Sequence, residues 1–454
     1  MKRTLLSLAV ASAISTTLFA DAETDALKAQ VKALMERLDA LEKKSNEYAE
    51  GAAINNEKTD SLIQEVADSK IIDSFGEYNG ESYAGMSPGI SKVYTNKNKL
   101  SVGGYGKVDY TNYKDQGTTT KNGITKTRDK ADSYRAVLYF GYRFTDNIIL
   151  NSEIEFEHGG SAEHGETEVE MLALDFLVDE YLNFRVGTYV LPIGLVAVNH
   201  EPTLFNPVAR PTTEVDIVPS TWFENGGMLY GSMLDGTFMY KTGIVAGFDA
   251  TKGSDLRHMR SKGSKSAADD AGYFVRLDYS PINEINIAGS YYYGKAGQNA
   301  SSTVAEVDSI TGSTYANLND VDVNLWEVHA TGKFAGFEAN AMYATHKIGS
   351  AEEVARFHHN KATDKAFGYY ANLNYTSGAW IPFVQYEVTN KYDRGIKADG
   401  SSFSYEDTKQ TTLGFNWKPH PQVVLKADYV WKDDGQENKT VNDDRLELGM
   451  GFVF

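Results

Sequence analysis

The sequence predicts an all-β protein: a 16-stranded antiparallel transmembrane β-barrel preceded by a short periplasmic coiled-coil helix. Three observations carry this expectation. In the last ten residues Leu446, Leu448, Met450, Phe452 and Phe454 alternate with Arg445, Glu447, Gly449, Gly451 and Val453, giving a strand with one apolar and one wetter face. At the other end, Lys2 and Arg3 precede an apolar run from Leu5 to Ala20, and small residues stand at Ala20 and Ala22, the pattern of a secretory signal peptide over residues 1–22. After Leu100, strand-length segments are joined by connections that alternate short and long.

Composition agrees with an exported barrel. The chain has 454 residues, 41% of them hydrophobic, and a net charge of -18. No run after the signal approaches the ~18 apolar residues a transmembrane helix requires. Cysteine is absent, which removes disulfides and thiolate metal sites and suits an oxidising compartment. The acidic balance argues against nucleic acid as a partner.

Along the mature chain, Leu27, Val31, Leu34, Leu38 and Leu41 fall at steps of four, three, four and three, a heptad seam within residues 23–48. A lone amphipathic helix is the other reading. So few heptads are marginal alone, so a coiled coil needs the assembled barrels to bring its strands together. Residues 49–99 read as a linker, with a short helix over Ser61 to Ile72. The barrel, residues 100–454, is expected to use strands at 100–113, 133–144, 148–158, 166–178, 182–192, 224–233, 237–248, 271–279, 285–294, 323–334, 337–346, 367–376, 380–392, 405–418, 423–431 and 444–454. Short turns such as Thr145 to Asn147 and Ala335-Gly336 fall on one side, and long loops on the other. A soluble barrel has no reason to sort its loops this way, and its outer face would be polar.

Side-chain alternation assigns the lumen. Tyr134, Ala136, Leu138, Phe140, Tyr142 and Phe144 share one face of the second strand, with Arg135 and Arg143 on the other. Glu153, Glu155 and Glu157 oppose Ile154 and Phe156, and Arg185 opposes Phe184 and Val186. Charges facing lipid are costly, so Lys107, Arg135, Arg143, Glu153, Glu155, Glu157 and Arg185 are assigned to the lumen wall. Twenty-eight Tyr and 21 Phe fit aromatic girdles at the membrane interfaces. A barrel of sixteen strands leaves an aqueous channel, so selectivity falls to whatever narrows it.

The segment 193–223 is the expected constriction loop. With Pro192 it holds five of the chain's ten prolines, which stiffen it. Its candidate pore residues are Glu201, Arg210, Glu214 and Asp216, with Glu224 just beyond. Val190 to Leu195, Asn199-His200-Glu201-Pro202, Arg210-Pro211, Ile217 to Trp222 and Glu224 to Gly227 resemble the phosphate-selective porin O and P family and its broader porin relatives. The resemblance covers residues 100–454 and implies trimers of sixteen-stranded barrels, a homotrimer that the N-terminal seam would support.

Phosphate selectivity is implied less directly, because family members that select phosphate have strongly basic narrow zones. Here Arg210 stands against Glu201, Glu214, Asp216 and Glu224, and the assigned wall is mixed or acid-leaning. The expectation is therefore passive diffusion of ions and small hydrophilic solutes with weak cation preference; the alternatives are an anion- or phosphate-selective porin and a structural barrel tethered to the cell wall through its N-terminal helix. No strand presents a nucleophile with a base beside it, so enzymatic activity is not expected. No cofactor is expected, and His158, His164 and His358-His359 lack a recognised metal spacing. The loop cations Lys252, Arg257, Arg260, Lys262 and Lys265 could gather anions at the mouth or contact lipopolysaccharide in the bacterial outer membrane.

Overall fold

A computed structural model describes residues 22–50, 76–115, 119–121, 124–126, 128–161, 165–303, 315–435 and 443–454. The signal region before Ala22, the helix expected over Ser61 to Ile72, Glu163 and His164 lie outside the described residues. The chain forms two compact units, Met1–Lys70 and Ile71–Phe454.

The first unit contains one long helix, α1 (Ala22–Glu50). Leu34, Leu38 and Leu41 of the heptad seam remain 64%, 61% and 55% exposed, so the seam has no apolar partner among the described residues.

The second unit is the barrel. Its strands are β1 (Leu100–Tyr113), β2 (Lys130–Arg143), β3 (Ile148–Glu157), β4 (Glu166–Leu177), β5 (Asn183–Val190), β6 (Phe223–Met233), β7 (Phe238–Ala246) and β8 (Ala271–Ile282). They continue with β9 (Ile285–Lys295), β10 (Asp322–Phe334), β11 (Phe337–Ile348), β12 (Lys361–Tyr375), β13 (Trp380–Lys397), β14 (Thr408–His420), β15 (Val423–Asp433) and β16 (Arg445–Val453). Each pairs antiparallel with its sequence neighbours, and β1 pairs with both β2 and β16, which closes the ring. A two-residue strand, Ser402–Phe403, folds back onto β13 and delays the start of β14 to Thr408. β12 and β13 pair as far out as Lys361 and Lys397, beyond the ends that apolar alternation marks, because a ladder continues into solvent wherever two strands remain adjacent.

The seam at β1 and β16 shows how the terminal pattern closes the barrel. Gly106 stands directly opposite Phe452, whose ring occupies the space where a Cβ at Gly106 would project. Gly104 and Phe454 exchange two main-chain hydrogen bonds of 3.1 and 2.9 Å. Aromatic rings laid over glycines in the neighbouring strand pin the register. The outward row Leu446, Leu448, Met450, Phe452 and Phe454 belongs to the apolar belt that also includes Leu138, Phe140, Leu277, Trp326, Leu373, Leu413 and Trp431, all exposed on the isolated barrel.

The charged faces turn inward as alternation predicts, with a local exception. Between Lys107 and Asp109 the pairing of β1 with β2 shifts register, so Lys107 opposes Arg135 but Asp109 opposes Asp132. This bulge re-aims Tyr134 from the apolar row to the lumen, where Lys107 and Arg135 lie 4.6 and 5.2 Å from its ring centre.

From the periplasmic side, the stretch read as linker contributes a helix of its own. α2 (Pro88–Thr95) has Gly89 to Tyr94 buried against β1, β2 and β3.

The lumen is also fuller than a sixteen-stranded ring alone implies. The loop between β5 and β6, L3 (residues 191–222), and the next outer loop, L4 (residues 247–270), fold inward. Trp222 stacks on Phe248 at 4.3 Å and meets Tyr292 edge-on at 4.9 Å. Leu256 and Met259 of L4 and the inward Val323 and Leu325 of β10 join the same buried cluster. The short helix α3 (Ala351–Phe357) adds Val354 and Ala355.

Candidate functional site

L3 crosses the lumen as a fixed partition because the wall on many sides captures its main chain. Arg276 of β8 donates to Gly194 O at 2.7 Å, and His346 Nδ1 of β11 donates to Ile217 O at 2.9 Å. On the opposite wall, Glu387 accepts from Thr213 N at 2.6 Å and Asp428 from Val208 N at 2.7 Å. Lys426 donates to Phe205 O at 2.6 Å and Pro207 O at 3.0 Å, with its Nζ 3.9 Å from the Phe205 ring centre. Prolines contribute to this pattern: five backbone nitrogens of L3 carry no N–H, and the carbonyls and N–H groups that its own turns do not satisfy find partners on the wall.

Most of the acids expected at the constriction serve as such partners. Glu201 is fully buried and accepts from Gly89 N at 2.9 Å. Glu214, also fully buried, accepts from Leu195 N and Val196 N, both at 3.0 Å. Glu224 receives Ser261 N at 2.7 Å and Lys262 N at 3.1 Å, fastening L4. These three carboxylates therefore do not face open water, unlike the pore-constriction place expected for them from the sequence; a carboxylate that accepts backbone N–H groups in a loop junction is not available to the pore. Arg210 and Asp216 do reach the open space.

That space is a cavity of about 370 Å³ between L3 and the wall formed by β1, β2, β15 and β16. Six lysine and arginine side chains line it, Lys107, Lys130, Arg135, Arg210, Lys432 and Arg445, together with His200. Four acids do: Asp109, Asp132, Asp216 and Glu447. Several of these are locally paired, including Lys107 with Asp109 at 2.6 Å and Arg445 with Glu447 at 2.8 Å. Arg135 pairs with Glu155 at 3.1 Å and Glu157 at 2.5 Å.

Arg210 differs. It donates to Thr221 Oγ1 at 2.8 Å and has no carboxylate at ion-pair distance among the described residues. Arg257 donates to Val215 O at 2.9 Å and Ser220 O at 3.0 Å; Arg260 donates to Pro219 O at 2.9 Å and to Thr221 O. Three guanidiniums thus converge on the turn 219–221. Burial and then the neighbouring charges of Arg210 and Arg257 hold Arg257 and Arg260 below the usual arginine range, Arg260 at about 10. Sequence alternation could not find this group, because Arg257 and Arg260 come from L4 and meet Arg210 only after both loops turn inward. Lys252 donates instead to Ser261 Oγ, and Lys262 pairs with Glu168 at 2.5 Å.

The remaining wall candidates have other duties. Arg143 binds the carbonyls at the end of α2, and Arg185 pairs with Asp175 at 2.9 Å. Glu153 faces His200 Nε2 at 3.1 Å, and Glu170 faces it at 3.4 Å, while His200 Nδ1 donates to Ala197 O at 2.7 Å. Burial opposes the charge on His200, but the two carboxylates outweigh it and push the imidazole up to about 10. Glu153, Glu170 and His200 could also hold a cation, which would compete with that proton for Nε2. His158 Nδ1 lies 2.7 Å from Asp132, and His358 Nε2 lies 2.8 Å from Ala250 O.

Comparison with known proteins places this geometry. A protein of Aquifex aeolicus (strain VF5), itself uncharacterised, is 30% identical over 377 residues, covering 77% of this chain and 80% of its own. The outer-membrane channel DcaP of Acinetobacter baumannii has the same fold, with a TM-score of 0.51 at 12% identity, over 78% of this chain and 97% of that one. In vitro folded OmpT of Vibrio cholerae, in its trimer form, aligns with a TM-score of 0.48 at 14% identity, over 78% of this chain and 99% of that one. The barrel is a non-enzymatic diffusion channel of the bacterial outer membrane, and the family model for phosphate-selective porin O and P matches residues 102–454. The chain belongs to that family.

Proposed function

We propose that this porin prefers anions, and that small hydrophilic anions cross it past Arg210. The observation that carries the reading is the convergence of Arg210, Arg257 and Arg260 on the 219–221 turn, where Arg210 has no carboxylate at ion-pair distance among the described residues. Guanidiniums held against backbone carbonyls keep their charge, Arg210 presents its own to the cavity, and the repulsion among the three is relieved when an anion approaches. The total charge of -18 does not decide selectivity, because many of the acids that produce it are bound to loop backbone rather than lining the cavity. The test is the reversal potential of the full-length protein in a planar bilayer under a KCl gradient. The expected sign is that of chloride permeation; a potential of the potassium sign overturns the proposal.

The assembly follows from α1. Its exposed Leu34, Leu38 and Leu41 form a seam for identical helices, and we infer a homotrimer in which the seams meet. Light scattering on the detergent-solubilised protein is expected to give three chains per particle. Leu34→Glu with Leu38→Glu should lower that number or make it dilution-sensitive, and a stable monomeric wild type would refute the inference. Cell-wall contact through α1 and lipopolysaccharide contact at the outer loops belong to the same proposed setting.

A further inference from the structure

We propose that α2 is a removable plug that closes the periplasmic exit beneath the Arg210 cavity, so that conduction requires it to leave its seat. The proposal builds on the channel reading above, but concerns opening rather than ion preference.

The placement is direct. Tyr105 and His200 lie at the cavity's edge, and below them Tyr139 donates to Glu201 at 3.3 Å. The same Glu201 carboxylate accepts from Gly89 N near the start of α2. Between the upstream segment and the wall, a space of only about 10 Å³ remains beside Ala84, Met86, Arg185 and Lys241, room for about one water.

The wall is shaped to receive the helix. A Cβ on Gly141 of β2 would strike Val93, so the strand gives up a side chain where α2 lies against it. Arg143 donates from Nε to Val93 O at 3.0 Å and from its terminal nitrogen to Tyr94 O at 2.8 Å, placing a cation on the carbonyl end of the helix. Asn151 donates to Ile90 O at 3.0 Å, and Tyr94 donates to Asp175 at 2.5 Å.

The attachment is also separable. α2 forms no strand ladder with the wall, whereas β1, β2 and β3 pair continuously behind it. Withdrawal therefore leaves ring closure intact; it exposes Ile90, Val93 and Tyr94, which pack in the buried apolar cluster, and exchanges the polar contacts for water, each of modest net strength. A helix with side chains is ~10 Å wide, so its departure opens a passage of that order.

The test uses the absence of native cysteine. Full-length Ile90→Cys/Asn151→Cys, bridged through both thiols by a reducible bis-thiosulfonate cross-linker and checked by mass, is expected to be held in low conductance. Reduction of the same reconstituted channels should raise conductance at least severalfold. Independently, Arg143→Gln/Asn151→Ala should raise open probability by about tenfold through loss of the carbonyl contacts. Equal conductance before and after verified disulfide reduction overturns the plug; so does wild-type opening in the Arg143→Gln/Asn151→Ala channel if the cysteine variant fails to fold. Reversal potentials recorded in the same channels separate a failure of the plug from a failure of anion preference.

Discussion

Arg210→Glu is expected to abolish the anion preference and reverse the sign of the zero-current potential in a KCl gradient. The substitution changes the cavity by two charge units at the point where Arg210 has no carboxylate at ion-pair distance among the described residues. Two unit charges 4 Å apart interact by about 1 kcal/mol in water, so a two-unit change alters local ion energies by about 2 kcal/mol. The anion-to-cation permeability ratio should fall by at least about tenfold. The introduced carboxylate would also face Arg257 and Arg260 and draw their charge into ion pairs. Arg210→Lys retains the charge but loses the planar donor fork, so it should keep the sign while weakening discrimination among oxyanions. Because the Debye length falls from about 10 Å at 0.1 M salt to about 3 Å at 1 M, the contrast should be largest in dilute salt. Preserved anion preference in Arg210→Glu would remove Arg210 from the selective position.

The placement of Arg210 shows where sequence reasoning stops. Strand alternation is a local property, so residues such as Glu155, Arg185 and Glu447 could be assigned inward without knowing their partners. Closure followed from the same pattern, since Phe452 and Phe454 meet glycines of β1. The acids of L3 look identical in sequence whether they face water or bind backbone N–H groups. Only the fold distinguishes Asp216 at the cavity from Glu214 beneath it. The filled lumen did leave a trace: β10 carries Val323 and Leu325 on its inward face as well as Trp326 and Val328 on its outward face. A strand that is apolar on both sides is covered on both sides. Neither that trace nor alternation identifies which loop covers it. The α2 seat was less legible still, because one short helix lacks the length that makes periodicity informative.

Glu214→Gln should stabilise the barrel at alkaline pH and leave it nearly unchanged in acid. Burial is the main influence on this carboxyl; the N–H groups of Val196 and Leu195 pull the other way, the buried Glu327 adds repulsion, and Tyr370 donates at 3.1 Å. Arg276 of β8 is the cation facing the same pocket. The balance pushes Glu214 from 4.5 up to about 7. A carboxyl raised in the folded state contributes its full stability below the unfolded value and loses that contribution as pH rises through the folded value. Over the interval from about 4.5 to about 7, this amounts to roughly 3 kcal/mol. Glutamine preserves an acceptor for Leu195 and Val196 without acquiring charge, so the variant escapes the alkaline loss. Urea unfolding in lipid vesicles at pH 4 and pH 8 measures the difference. A gain of up to about 3 kcal/mol at pH 8 is expected, with little change at pH 4; equal effects at both values would show that Glu214 does not change its protonation across this range. Since Glu214 joins the first turn of L3 to its π-helical turn at Thr213–Ile217, its ionisation loads the partition itself rather than the surrounding ladder. The alkaline loss should therefore reach L3 before the strands part, and wild-type conductance should become noisier above pH 7 while the Glu214→Gln channel remains steady.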